Sequence, residues 1–102
     1  MPQFFAYKNP RPSKAKAPFL LDVQTDLLGL ATRAVVPLAK PQAFGPPVKR
    51  LHPVLTVAGS AYVMVTEEIA NLPARELREP VADLNADREA IRNALDLLLV
   101  GF

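Results

Sequence analysis

Pro53-Val54-Leu55-Thr56-Val57 and Ala61-Tyr62-Val63-Met64-Val65 stand on either side of Ala58-Gly59-Ser60. Two short runs rich in β-branched and aromatic residues, joined by small residues that include a glycine, read as a β-hairpin. The expectation is that these two strands form the centre of a sheet. Working back toward the start of the chain, residues 33–38 give a further strand around Ala34-Val35-Val36, closed by Pro37, which lacks a ladder N–H. Residues 19–24 and the aromatic-rich residues 3–7 add two more. Residues 9–18 and 40–47 each hold three prolines and read as loops, the first one basic and exposed.

Working forward, Thr66 before Glu67-Glu68-Ile69-Ala70 predicts an N-capped helical turn ended by Pro73, and Val81-Ala82 a short strand. Asn85 is the expected N-cap of a final helix with Asp87 and Glu89 in its first turn. Strands first and one long helix last predict a mostly β chain with a C-terminal α-helix. The expected form is a small barrel or curled antiparallel sheet with the helix on one face, in one domain over residues 1–102.

In that helix Ile91, Ala94, Leu95, Leu98 and Leu99 follow the i, i+3, i+4, i+7, i+8 spacing of a face that packs on a core. Leu97, Val100 and Phe102 lie partly off this face. An apolar end to a chain calls for burial or a partner, because termini are usually the most solvated part of a domain. Leu95, Leu98 and Leu99 read first as core or dimer interface. Val100, Gly101 and Phe102 read first as partner contact, with Gly101 also suited to end the helix in a left-handed conformation.

The 102 residues suffice for a core without metals or cross-links, and half of them are apolar. With no cysteine there is no disulfide framework, thiolate nucleophile or thiolate zinc site. No stretch reaches the roughly 18 apolar residues of a membrane span, and the first residues lack a secretory apolar run, so the expected compartment is the cytoplasm. Net charge is +2, divided by sign. Residues 1–51 hold eight Lys/Arg against Asp22 and Asp26, and the rest hold four Arg against eight carboxylates. This division suits either a basic loop surface facing an acidic partner or phosphate, or ordinary solvated charge.

Little here assembles bond-making chemistry. His52, the one histidine, stands at a strand entrance without companions in metal-ligand spacing. Asp22 and Asp26 have a spacing open to acid–base pairing or to turn hydrogen bonds, and the turn role fits a strand end better. Four glycines build no phosphate loop, and Ser13 and Ser60 are not placed like activated nucleophiles. The expectation is a protein that binds, without catalytic residues, metal or cofactor.

Gln3-Phe4, Tyr7, the run Leu21-Asp22-Val23-Gln24-Thr25-Asp26-Leu27-Leu28, Val35-Val36-Pro37-Leu38, Val81-Ala82-Asp83-Leu84 and Ile91-Arg92-Asn93-Ala94-Leu95 form an ordered set. With its spacing, this set resembles the CcdB family of toxins from toxin–antitoxin modules over essentially the whole chain. The resemblance implies an SH3-like barrel with a C-terminal helix, shared with ribonuclease toxins of the MazF and Kid type, and a homodimer. It implies a toxin that traps DNA gyrase by setting paired C-terminal ends against the gyrase A subunits. The implied gyrase contacts are Thr25, Leu27, Leu28, Asp96, Val100, Gly101 and Phe102. A CcdA-like antitoxin is the implied neutralising partner, and operator DNA is bound only together with that antitoxin. Lys14 and Lys16 read first as solvated charge, with contact to the antitoxin tail as the alternative.

The family pattern carries tryptophan-glycine-isoleucine where this chain has Val100-Gly101-Phe102, and asparagine at Asp96. Valine keeps apolar character but forfeits area, stacking and the indole donor of an interface anchor, while Phe102 returns aromatic surface. The departure bears on the strength or species range of gyrase poisoning. Two further readings share the fold: an endoribonuclease using Arg33, Lys49 or Arg50 on phosphate with a carboxylate base, and a toxin without a target that acts only as co-repressor.

Overall fold

The computed structural model describes residues 2–102. Its strands are β1 (Phe5–Lys8), β2 (Phe19–Asp22), β3 (Thr32–Ala39), β4 (Val54–Val57), β5 (Ser60–Met64), β6 (Ala70–Pro73) and β7 (Pro80–Asp83). A short α1 (Pro41–Phe44) and a long α2 (Arg88–Val100) complete the regular structure, with 3₁₀ turns between. All strand pairs are antiparallel, in the order β4-β5-β3-β2-β1-β7 with β6 also on β3. The sheet curls into a nearly closed barrel, and the expected fold class holds.

The hairpin forms in the tightest way available. Val57 pairs with Ser60, so the turn is Ala58-Gly59 alone, both with positive φ of 51° and 85°. Two left-handed central residues make the turn whose twist matches that of paired strands. The hairpin is not the centre of the sheet, because β4 lies at its edge. The centre is β3, which pairs β2 along one side and, along the other, first β6 and then β5. Pro37 therefore does not close the strand. It sits where the second side passes from β6, paired up to Val35, to β5, paired from Leu38, so no ladder N–H is required there. Its carbonyl accepts the Val65 N–H at 3.0 Å.

Two expected caps are also corrected. The Thr66 hydroxyl donates to the Leu51 carbonyl instead of capping a helix; its turn is one 3₁₀ turn, Thr66–Glu68, and residues 70–73 form β6. A buried threonine with a backbone acceptor at hand satisfies that acceptor first. Asn85 opens a 3₁₀ turn ahead of α2, and its side chain bridges the Gln3 carbonyl (3.2 Å) and Asp83 Oδ1 (2.7 Å).

The main core joins the sheet's inner face to one face of α2: Leu21, Val36, Leu38, Leu55, Val57 and Met64 meet Ile91 and Ala94. Each large side chain removed from water there contributes about 1.5–3 kcal/mol. A smaller cluster of Tyr7, Leu20, Val35, Leu72 and Leu77 fills the opposite face of the sheet.

Candidate partner-binding surface

The helical stripe divides along its length. Ile91 and Ala94 are fully buried and Leu95, Leu97 and Leu98 are intermediate, whereas Leu99 is 69% and Val100 60% exposed. Leu99 therefore does not belong to the protomer's core, the first of the two places expected for it. Gly101 ends the helix in the left-handed region (φ 86°), its N–H shared between the carbonyls of Asp96 and Leu97 at 3.1 Å each, as the C-cap reading expects. Phe102 beyond it is 81% exposed. Asp96 is exposed on the polar side of α2, in a shallow cleft of about 290 Å³ with Arg88, Glu89, Arg92 and Asn93.

A second apolar surface lies on the loop between β2 and β3. Leu27 is 91% exposed, and Leu28 and Leu30 are also largely in solvent. Thr25 is half-buried, and its hydroxyl accepts the Leu27 N–H at 3.3 Å. Leucines exposed this close together make the loop a candidate contact surface. Leu30 was not among the expected contacts, although its apolar character beside Leu27-Leu28 was visible in the sequence.

The stem of this loop is ionic and buried. Arg33 Nε donates to Asp22 Oδ2 at 2.8 Å, and its Nη2 donates to the Gln24 carbonyl at 3.1 Å and to Asp26 Oδ1 at 3.3 Å. Both Asp22 and Arg33 are almost completely buried, while Asp26 is about half exposed. Burial pushes the Asp22 carboxyl above its ordinary value, partly offset by Arg33 and the Gln24 N–H. For Arg33, burial works against the charge but the two aspartates outweigh it, so the guanidinium is held more firmly ionised than in water. Asp22 and Asp26 thus share a cation, and Asp22 Oδ1 also accepts the Gln24 N–H at 3.1 Å, the turn hydrogen bond expected at a strand end. Sequence reading named Arg33 and both aspartates but not their union, because residues 22 and 33 meet only when β2 pairs β3.

The other candidate residues have local tasks. His52 is buried; its Nδ1 accepts the Val48 N–H at 2.9 Å, which leaves the proton on Nε2 to donate to Glu67 Oε1 at 2.7 Å. The Phe44 ring meets it edge-on at 4.7 Å. Burial raises the Glu67 carboxyl, but its own backbone N–H and His52 outweigh that and leave it below its ordinary value. Among the described residues no group of three or more His, Cys, Asp or Glu is placed to hold a metal ion.

Lys49 and Arg50 line a cleft with Pro53, Val54, Ala90 and Asn93, whereas Arg33 lines a different one with Asp26, Gly29 and Leu30. Of the cations open to the ribonuclease reading, Lys49 and Arg50 thus share a cleft and Arg33 lines another. The basic loop carries Lys14 and Lys16 exposed. Part of its charge is answered within the chain, by the fork of Arg11 on Glu76 at 2.8 and 3.1 Å, and Lys8 at the end of β1 pairs with Glu79 at 3.1 Å.

Fold and surface together define a small barrel protein that exposes apolar side chains on a helix tip and on a loop. The sequence model of the family described as CcdB protein matches residues 3–101. The chain belongs to the CcdB family, and is thus the toxin of a toxin–antitoxin module within a family of gyrase inhibitors. Antitoxin and gyrase are the partners this family implies. No helix among the described residues is long and apolar enough to cross a membrane.

Proposed function

We propose that this toxin acts in the cytoplasm as a homodimer whose paired α2 tips bind the gyrase A subunit, with Val100, Gly101 and Phe102 as the central contact. Asp96 and the loop residues Thr25, Leu27 and Leu28 complete the surface. The observation that carries the reading is the exposure of Leu99, Val100 and Phe102 on a helix whose first turns are locked into the core. A tip anchored in this way loses little freedom when it binds, so its apolar area contributes to affinity with little ordering cost. Two-fold symmetry would present the tip twice to a target that is itself two-fold, adding avidity.

A CcdA-like antitoxin would neutralise the toxin, its acidic tail meeting Lys14 and Lys16, and the two together would bind operator DNA. The direct test is growth arrest by the full chain and by a chain lacking residues 100–102, together with gyrase supercoiling assays on the purified proteins. Loss of arrest and of gyrase inhibition in a truncated protein that melts like the full chain is the expected result. Arrest that survives the truncation would overturn the terminal contact, and discrete RNA cleavage by the purified chain would redirect the assignment to the ribonuclease reading.

A further inference from the structure

The loop between β2 and β3 spends nine residues without regular structure and exposes leucines from its middle. An untethered loop of that length would sample many positions and bind weakly, because ordering it would consume much of the interaction. Its near stem is tied with unusual density. The Val23 N–H bonds the Ala34 carbonyl at 3.0 Å, and the Gln24 side-chain oxygen accepts the Ala34 N–H at 3.0 Å. Asp26, the residue next to Leu27, is held from two sides, by Arg33 at 3.3 Å and by the Gln3 N–H at 3.2 Å. The next tie to another element is at Ala31, whose carbonyl accepts the Ala74 N–H at 2.8 Å. Gln3 extends the same network to the entrance of α2, since its carbonyl accepts from Asn85.

Cohesion is not what this network supplies best. A buried ion pair costs desolvation that apolar residues of equal volume avoid, often with no loss of stability. Gln24 adds to that cost, because its Nε2 is buried without a partner. What a guanidinium supplies is direction: a rigid planar fork that fixes several acceptors relative to one another.

We propose that Arg33 is a positioning residue, which by holding Asp22, the Gln24 carbonyl and Asp26 fixes the loop so that Leu27 and Leu28 are presented in place to the toxin's protein target. The proposal rests on the reading of Leu27 and Leu28 as gyrase contacts, and its test separates the two. Asp26→Asn removes a half-exposed charge without disturbing the core, and Arg33→Lys keeps the charge but loses the fork.

Both variants are made in the full chain and in a Leu27→Ala/Leu28→Ala background. Backbone order at residues 27 and 28 is read by nitrogen-15 relaxation, and affinity by titration with purified gyrase A subunit. Order parameters in both variants should fall to about 0.6 or below, from nearer the roughly 0.85 of rigid backbone. Affinity should fall about tenfold in the intact background and stay unchanged once the leucines are gone, the non-additivity of groups acting as a unit. Unaltered loop order, or the same affinity loss in both backgrounds, would overturn the positioning role. A loosened loop in a protein whose gyrase affinity also ignores Leu27→Ala/Leu28→Ala would uphold the positioning by Arg33 and sink the loop as a gyrase contact.

Discussion

The two halves of α2 are written in the same apolar spacing and meet opposite fates. Ile91 and Ala94 are sealed against Leu21, Val36 and Met64, whereas Leu99 and Val100, about two turns further on, face solvent with Phe102. The difference teaches that an apolar stripe measures how much surface a helix must hide, and not which molecule hides it. The barrel wall covers the first turns, and the last turn of the stripe stays in solvent.

That contrast can be broken at several points. Ile91→Ala should have the largest effect, a loss of about 3 kcal/mol in urea denaturation, because it opens a cavity in a closed core. Leu99→Ala, the same kind of truncation on the exposed half, should change stability by no more than about 0.5 kcal/mol. Equal losses at the two positions would mean that the tip is covered within the protomer.

Val100→Trp would sharpen the comparison from the other side. It restores a large aromatic anchor at an exposed position, so binding to the gyrase A subunit should tighten about tenfold, about 1.4 kcal/mol, with an unchanged melting midpoint. Gly101→Ala comes next. An added Cβ meets nothing within 4 Å, but the left-handed backbone at φ 86° disfavours it, and thermal denaturation should show a loss of about 1 kcal/mol.

Acid should act last and on one half only. The Asp83 carboxylate is held below its ordinary value by the Asn85 side chain and N–H at the entrance to α2. Glu76 is lowered by the Arg11 side chain, and Glu67 by its own N–H and His52 against the opposing effect of burial. A carboxyl whose folded pKa is depressed gives stability above its unfolded pKa and loses it as pH falls through the folded one. These contributions should therefore fade below about pH 4, in the order of small exposed interactions. Protection factors, taken as exchange relative to the intrinsic rate at each pH, should fall first around residues 83–88, with those of residues 97–101 unchanged.

Much of this molecule was legible in local sequence. The hairpin at residues 53–65, the strands around Leu21 and Val36, the terminal helix and its Gly101 stop follow from side-chain periodicity and from glycine's tolerance of positive φ, both carried by neighbouring residues. The ordered residue set led to the family as well. Misreadings fell where a distant partner overruled a local preference. Thr66 gave its hydroxyl to Leu51, Ala70–Pro73 joined β3 as a strand, and Pro37 stayed inside β3 because neither flanking strand claims the bond it lacks.

Sequence alone determined the supply of structure: which segments bend, which extend, how much apolar surface the last helix carries, and that its end is apolar. Tertiary structure alone decided the allocation. It made β3 the hub in place of the hairpin, joined Asp22 to Arg33 under the leucine loop, and drew the line on α2 between the turns that are sealed and those left outside. Periodicity and turn chemistry act between residues a few positions apart, whereas burial and ion pairing depend on which surfaces close over one another once the sheet has curled.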